Sequence, residues 1–331
     1  MDTILNITNG DSAVKIMKEA NIPGDFLPWR DVLHDGPVPE GLSLDELSEV
    51  RAQFIIEQGW GNPEAIRNSF LERDKQLKSF ENYEKVILWF EHDLYDQLQI
   101  LQILDWFSQV PSTKTRIAII CTERYLGMSS PEEMQALCQY EQAVNEAHLQ
   151  LARQSWAAFR STTPKKWQDL LTVDTSALPF LKGAIIRLLE EYPDCVNGLS
   201  RTAEQALRVI LQGEKRPGKV FNRYQETEER RFLGDSSFWI ILNELLGAEP
   251  PLVKVPQGKQ LTLPISPDQE LTITPTGRDV LQGAINWLEI AELDRWLGGV
   301  HLKSNNIWCR DSISGRLKKP ETMPDNFKLR Q

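Results

Sequence analysis

Short, continuously apolar runs alternate with helical patterns over the first 140 residues. These runs have the length of buried strands and lie at 3–8, 26–32, 85–90 and 116–121. The segments after them repeat apolar residues at helical spacing, and two begin at good capping residues, Ser43 and Ser130. Buried strands that alternate with helices are typical of a parallel sheet. We therefore predict an α/β domain over residues 1–140, with an open, mostly parallel, Rossmann-like sheet and helices on both faces.

The rest of the chain predicts a helical bridge and then a different kind of domain. Residues 141–195 carry apolar positions at helical spacing, with a break near 172–176. From residue 197, three helical segments precede three short alternating runs, at 252–255, 260–263 and 271–274. Three helices followed by a β-ribbon are typical of a winged helix-turn-helix module. We predict a helical bridge over 141–195 and a winged-helix-like α+β domain over 196–331.

The chemically richest stretch is the junction between the third predicted strand and its helix. Five apolar residues end in Glu91, His92 and Asp93. Carboxylates beside an imidazole suit general acid–base catalysis, or a divalent cation that polarises an oxygen. Asp93 also suits a helix N-cap, and Asp96 suits the first helical turn, but capping does not account for Glu91 or His92. We predict catalytic roles for Glu91, His92 and Asp93.

Polar side chains also follow the first two predicted strands. Ligands of open α/β sheets bind beyond the carboxyl ends of the strands. His34 lies there in a stiff loop, and we predict it as a fourth catalytic residue. The predicted substrate-binding residues are Asn9, Gly10, Asp11, Trp29, Arg30 and Asp31. Purely structural roles stay open for these residues: a capped turn after the first strand, a core position for Trp29, and a solvated turn at His34.

Charge is distributed unevenly along the chain. The formal net charge is −10, and the acidic excess lies in the first third of the sequence. An acidic surface repels phosphate backbones, so we do not expect nucleic-acid binding by residues 1–140; for 196–331 it stays open. An acidic pocket accepts phosphate only through a bound cation. We therefore consider a divalent metal, with His92, Asp93 and Asp11 as candidate ligands.

The four cysteines predict neither a disulfide framework nor a zinc cluster. None lies in a CxxC pair, and Cys121 falls inside an apolar run. We expect reduced thiols in a cytoplasmic protein. The N-terminus lacks the pattern of a signal peptide, and no run reaches the roughly 18 apolar residues of a membrane helix. The expected partner is a small molecule and not a membrane, and a homodimer stays open.

Three N-terminal motifs resemble a known family. They are ITNGDSA at 7–13, LPWRDVLHDGP at 27–37 and WFEHDLYDQ at 89–97. With later stretches near 198, 232 and 294, they resemble the uncharacterised bacterial family catalogued as domain of unknown function 1835, over nearly the whole chain. The family brings no established activity. The resemblance implies that the three motifs belong to one site and that the C-terminal half is winged-helix-like, although the tail departs from the family at 308–311.

Two functions of different classes fit these features, and the sequence leaves open whether the protein is an enzyme. The first is a hydrolase or transferase for a small phosphorylated or nucleotide-like substrate, at an acidic, histidine-containing cleft, with or without a divalent cation. The alternative is a ligand-sensing regulator whose winged-helix-like half binds a protein partner or DNA. The third C-terminal helix has few side chains that read bases, which argues against strong DNA binding. The C-terminal half as a scaffold or dimerisation unit is a further option.

Overall fold

The computed structural model describes residues 3–111, 114–256, 261, 265–266 and 268–320. The chain forms two compact units. The first lies within residues 1–185 and includes the short segment 298–300, and the second lies within 186–297 and 301–331. The first unit contains a parallel sheet, whereas the strands of the second unit form short two-stranded pairs.

A five-stranded, mostly parallel sheet is the centre of the first unit. Its strands are β1 (Ile4–Thr8), β2 (Asp25–Pro28), β3 (Lys85–Glu91), β4 (Arg116–Thr122) and β5 (Gln142–Ala143). Their spatial order is β2-β1-β3-β4-β5, and only the β4–β5 pair is antiparallel. Thr8 lies opposite both Pro28 and Trp89, so β1, β2 and β3 end side by side. We call this end of the parallel strands the carboxyl edge. The predicted mixed α/β fold with a mostly parallel sheet is confirmed.

The helices connect these strands and continue past the sheet. They are α1 (Asp11–Glu19), α2 (Leu44–Glu57), α3 (Pro63–Lys78), α4 (Leu94–Gln109), α5 (Pro131–Leu137), α6 (Glu146–Phe159), α7 (Lys165–Asp169) and α8 (Leu181–Leu189). α1 and α5 pack on the face of the sheet that carries Ile87 and Trp89. The other face of β3 is also buried, through Val86, Leu88 and Phe90, because α4 packs against this strand. Both faces of the sheet are therefore covered.

The second unit combines helices with strand pairs. Its further elements are α9 (Arg201–Leu211), α10 (Pro217–Gln225), α11 (Asp235–Gly247), α12 (Pro275–Leu281), β6 (Val253–Lys254), β7 (Thr272–Ile273), β8 (Asp294–Leu297), β9 (Val300–Lys303), β10 (Cys309–Arg310) and β11 (Leu317–Lys318). β6 pairs with β7 in antiparallel sense. A winged-helix fold is not confirmed, because β6 and β7 are only two residues long. The strand predicted at 260–263 lies outside the described residues, apart from Leu261. Within the described ranges, every helix is too short or too polar to cross a lipid bilayer.

A disulfide in the second unit contradicts the expectation of four reduced thiols. Cys195 is bonded to Cys309, 114 residues away, while Cys121 and Cys138 are free. The backbone brings the pair together, since the Cys195 N–H donates to the carbonyl of Arg310. A pairing across this separation leaves no spacing motif in the sequence. The prediction was therefore wrong for two of the four cysteines.

Two local predictions also need correction. The second strand was expected over 26–32 but ends at Pro28, because Arg30 takes a left-handed φ of 47° that no strand accommodates. The region 141–195 is not helical throughout, because β5 lies at its start and pairs with β4 at the sheet edge. A two-residue edge strand has too few positions to show an alternating pattern.

Candidate functional site

Between β1 and β3, the connections that leave the carboxyl edge turn in opposite directions along the sheet. From β1 the chain continues through α1 to β2 on one side, and from β3 through α4 to β4 on the other. Right-handed crossovers that leave neighbouring strands in opposite directions lie on opposite faces of the sheet, which opens a crevice between the strand ends. Asn9 follows β1, and Glu91 closes β3. Two predicted site residues therefore lie at the switch point where ligands of such sheets bind.

Asn9 joins the two strand ends directly. Its side-chain amide donates to Glu91 Oε1 at 2.8 Å and to Asp96 Oδ2 at 3.1 Å. Glu91 Oε1 also accepts from the backbone N–H of Leu126 at 2.8 Å. The hydroxyl of Tyr95 donates to the carbonyl of Asn9 at 3.2 Å. Asn9 is thus fixed through both its side chain and its main chain, and it brings β1 and β3 together as the strand-end argument predicted.

Three carboxylates converge where β3 ends and α4 begins. Asp93 is the N-cap of α4, as predicted, and accepts from the Asp96 N–H at 3.1 Å. Asp96 reaches back and accepts from the Glu91 N–H at 2.6 Å. Glu91, Asp93 and Asp96 each place an oxygen within 4.8 Å of the others, the one such group of potential metal ligands in the described part of the chain. We call these three residues the acidic cluster. Of the three predicted metal ligands, it contains Asp93 but neither His92 nor Asp11.

Burial makes the acidic cluster costly to ionise. Glu91, Asp93 and Asp96 are only 5%, 3% and 1% exposed. Burial raises the pKa of Glu91 to about 7, although hydrogen bonds from Asn9 and Leu126 oppose the shift. The pKa of Asp96 lies well above its ordinary value, first because of burial and then because Asp93 and Glu91 repel its charge. At neutral pH the cluster therefore retains protons unless a cation replaces them.

His92 lies next to the acidic cluster in sequence but is not one of its members. Its ring packs against Tyr125 and Phe180, with centroid separations of 5.3 and 6.0 Å. Strand alternation predicts opposite faces for Glu91 and His92, which agrees with the absence of His92 from the acidic cluster. Two aromatic rings therefore form part of the surroundings of His92.

His34 approaches the site through one intermediate residue. It is 4% exposed, and its ring meets that of Tyr95 edge-on at 5.8 Å. Its Nε2 lies 3.5 Å from Asp35 Oδ2. Because Tyr95 also donates to Asn9, His34 belongs to the same contact network as the carboxyl edge.

The remaining predicted residues divide into an exposed pair and two core positions. Arg30 donates twice to Asp11, at 2.7 and 2.6 Å, which lowers the pKa of Asp11 and raises that of Arg30. Gly10 lies directly before Asp11 in the chain, and a Cβ built on Gly10 would meet no atom within 4 Å. Trp29 is 1% exposed and Asp31 is fully buried. These two residues therefore support the site from the core and present no surface to a ligand.

Sequence reasoning missed Arg51, which holds the loop after β2. It is fully buried and donates to Asp31 Oδ1 at 3.0 Å, and to the carbonyls of Val32, Asp35 and Pro37 at 2.9, 2.7 and 3.2 Å. The signal was available: Arg51 lies four residues from both Leu47 and Ile55, on the apolar face of α2. A lone cation on an apolar face predicts a buried partner.

Asp96 was also missed as a site residue. Asp96 lies in the first turn of α4, where the helix dipole alone favours an acidic residue. Its contacts with Asn9 and Glu91 were therefore not predicted. Its three-residue spacing from Asp93 places both carboxylates on one side of α4, and this is the signal that could have found it.

A comparison of the chain with protein-family models and with curated proteins found no match. The resemblance to domain of unknown function 1835 therefore stays a prediction.

Proposed function

We propose that the protein is a hydrolase or transferase acting on a small phosphorylated or nucleotide-like substrate at the carboxyl edge. The observation that carries this proposal is the convergence of Asn9 and the acidic cluster at the β1–β3 switch point. Structural roles alone do not require three carboxyl groups to be buried together, because one cap satisfies the start of α4. Membership of the domain of unknown function 1835 is part of the same proposal.

A divalent cation held by the acidic cluster would suit this chemistry. Carboxylate oxygens are the ligands that hard cations prefer, and those of Glu91, Asp93 and Asp96 are close enough together to share one ion. The cation would offset the burial of their charge, and it would polarise a phosphoryl oxygen of the substrate. A bound cation would therefore allow the acidic first third of the chain to accept a phosphorylated substrate.

In the acidic cluster without a cation, Glu91 instead fits acid–base work. Its pKa of about 7 lies near neutral pH, where a group both accepts and releases a proton readily. Asn9 donates to the same oxygen that Leu126 holds, so the carboxyl group has a fixed orientation. His34, connected through Tyr95, is the second group proposed for proton transfer.

Metal binding tests the proposal. We expect Mn²⁺ or Mg²⁺ to bind in calorimetry at pH 8, and metal-dependent turnover of one or more compounds in a panel of phosphorylated metabolites and nucleotides. Asp93→Asn keeps the helix cap but removes a charged ligand, so it should weaken metal binding by roughly tenfold or more while the protein stays folded.

Asp105→Asn is the matched control. Asp105 lies on the same helix, and burial raises its pKa to about 6, but it is not part of the acidic cluster. Its variant should bind metal as the parent does. Equal metal affinity in Asp93→Asn and the parent would contradict the proposed cation site.

The second candidate function is a ligand-sensing regulator. In the second unit α9, α10 and α11 are followed by the antiparallel β6–β7 pair, which is the element order of a winged-helix module. α11 contains no Lys, Arg or His, so we favour a protein partner over DNA. A gel shift of the full chain at low salt tests the DNA version, and binding that disappears with added salt would support it.

A further inference from the structure

An exposed ion pair at the carboxyl edge has no evident structural purpose. The guanidinium of Arg30 holds the carboxylate of Asp11 through two hydrogen bonds and touches Ser69 Oγ at 3.3 Å. The two side chains are 48% and 69% exposed. Exposed ion pairs of this kind contribute little to folding stability, so stability does not explain why these residues meet here.

The backbone under this pair is strained. Arg30 has a φ of 47°, a conformation that side chains other than Gly, Asn and Asp rarely adopt. Both neighbours are anchored: the Trp29 N–H donates to the Thr8 carbonyl at 2.8 Å, and the carbonyl of Asp31 accepts from Gln99 at 2.7 Å. The fold therefore fixes the unusual conformation of Arg30, and strain of this kind concentrates at functional sites.

Arg30 also lies close to the proposed chemistry. It follows β2, which ends beside β1, and β1 ends beside β3 and Glu91. Neighbouring strands are about 4.8 Å apart, so the ends of β2 and β3 are separated by roughly 10 Å, a span that one small phosphorylated molecule covers. No atom lies within 4 Å of a Cβ built on Gly10, so the backbone just before Asp11 is open to a ligand.

We propose that Arg30 binds the phosphate group of the substrate, and that Asp11 occupies the place of this phosphate until the substrate arrives. A guanidinium recognises carboxylate and phosphate with the same two-pronged geometry, so one anion substitutes for the other. Asp11 is thereby an internal competitor that lowers phosphate affinity. The inference rests on the proposed function for the substrate class, and adds the residue that selects the anionic group and the residue that opposes it.

Inorganic phosphate is the probe, with binding to the full chain measured by calorimetry and ³¹P NMR in a buffer with EDTA. Arg30→Gln should weaken phosphate binding by roughly tenfold or more, because it removes a charged, two-pronged donor. Asp11→Asn should strengthen binding by about fivefold to tenfold, because the competing charge is gone. The opposite directions of these two changes are the expected signature.

Two controls separate this role from surface charge and from backbone strain. Lys78 and Asp45 form an ion pair with nearly the same exposures, 44% and 67%, at the end of α3 that is farther from Ser69. Lys78→Gln and Asp45→Asn should therefore leave phosphate binding unchanged.

The second control concerns backbone strain. Asn21 is the other described non-glycine residue with a positive φ. Asn21→Gly and Arg30→Gly should both keep or raise the melting temperature, but only Arg30→Gly should lose phosphate affinity.

The proposal is overturned if Arg30→Gln binds phosphate as the parent does, if Asp11→Asn fails to bind it more tightly, or if neither the parent nor Asp11→Asn binds it. Since the assay contains no metal, these outcomes do not depend on the acidic cluster. Failure of metal binding at Glu91, Asp93 and Asp96 would remove the cation site from the proposed function and leave the phosphate result standing by itself.

Discussion

Glu91 keeps its proton at pH values where an ordinary glutamate has lost it. Its pKa is raised from 4.5 to about 7, mainly by burial. Below pH 4.5 the carboxyl group is neutral in both the folded and the unfolded chain, so it has no effect on stability. Between pH 4.5 and 7 the folded chain holds a proton that the unfolded chain has released, so stability falls as pH rises. Above pH 7 the full cost, about 3 kcal/mol, is present.

We therefore expect Glu91→Gln to flatten the pH dependence of stability. The variant should be more stable than the parent by about 3 kcal/mol at pH 8 and equal to it near pH 4.5, because glutamine carries no charge to bury. Urea unfolding between pH 4.5 and 8 measures this difference. Parallel curves for the two proteins would show that Glu91 ionises normally in the folded chain.

At the scale of elements, the loop after β2 depends on one buried guanidinium. Arg51 neutralises Asp31, and it binds three carbonyls of the loop that carries His34. We expect Arg51→Met to cost about 3–5 kcal/mol, because Asp31 is left buried with too little compensating charge. The double variant Arg51→Met/Asp31→Asn should recover part of that loss.

Chemical denaturation measures these differences in the free energy of unfolding, with Arg67→Met as the control. Arg67 is a half-buried arginine on α3 that pairs with Glu49 at the surface, so its replacement should change stability by no more than about 0.5 kcal/mol. Similar losses for Arg51→Met and Arg67→Met would contradict the role given to Arg51.

Two variants of Asp93, at the start of α4, distinguish its role as a helix cap from its role as a metal ligand. Asparagine caps a helix about as well as aspartate, whereas alanine costs about 1 kcal/mol. We therefore expect Asp93→Asn to be more stable than Asp93→Ala by that amount without metal, since Asp93 accepts from the Asp96 N–H. Melting curves with and without Mn²⁺ measure both properties, and metal should stabilise both variants less than it stabilises the parent. Equal melting temperatures for the two variants would count against the cap.

At the scale of the whole molecule, the disulfide closes a long loop. Cys195 and Cys309 are 114 residues apart, and a cross-link over such a loop stabilises by up to about 4–5 kcal/mol through the unfolded chain. Reduction should lower the melting temperature. Alkylation of the unfolded protein followed by mass spectrometry should label Cys121 and Cys138 before reduction and all four cysteines after reduction. Four labelled cysteines in the unreduced, unfolded protein would show that the bond is absent.

The sequence by itself determined most elements of the first unit and the region of its candidate site. β1, β3, β4 and the helices after them follow from local periodicity and capping, because burial of one face imposes a fixed spacing on each element. The polar residues after these strands follow from the same reasoning, since carboxyl ends of parallel strands share an edge. Asn9 and Glu91 meet there although 82 residues separate them.

Only the tertiary structure decided which of these residues contact one another. Asp96 joins the acidic cluster, Arg51 neutralises Asp31, and Arg30 pairs with Asp11 through contacts between distant segments. Periodicity records that a position is buried but not which distant group compensates its charge or its hydrogen bonds. The pairing of Cys195 with Cys309 escaped prediction for the same reason. Local spacing therefore determined where the site lies, and long-range contacts decided which atoms form it.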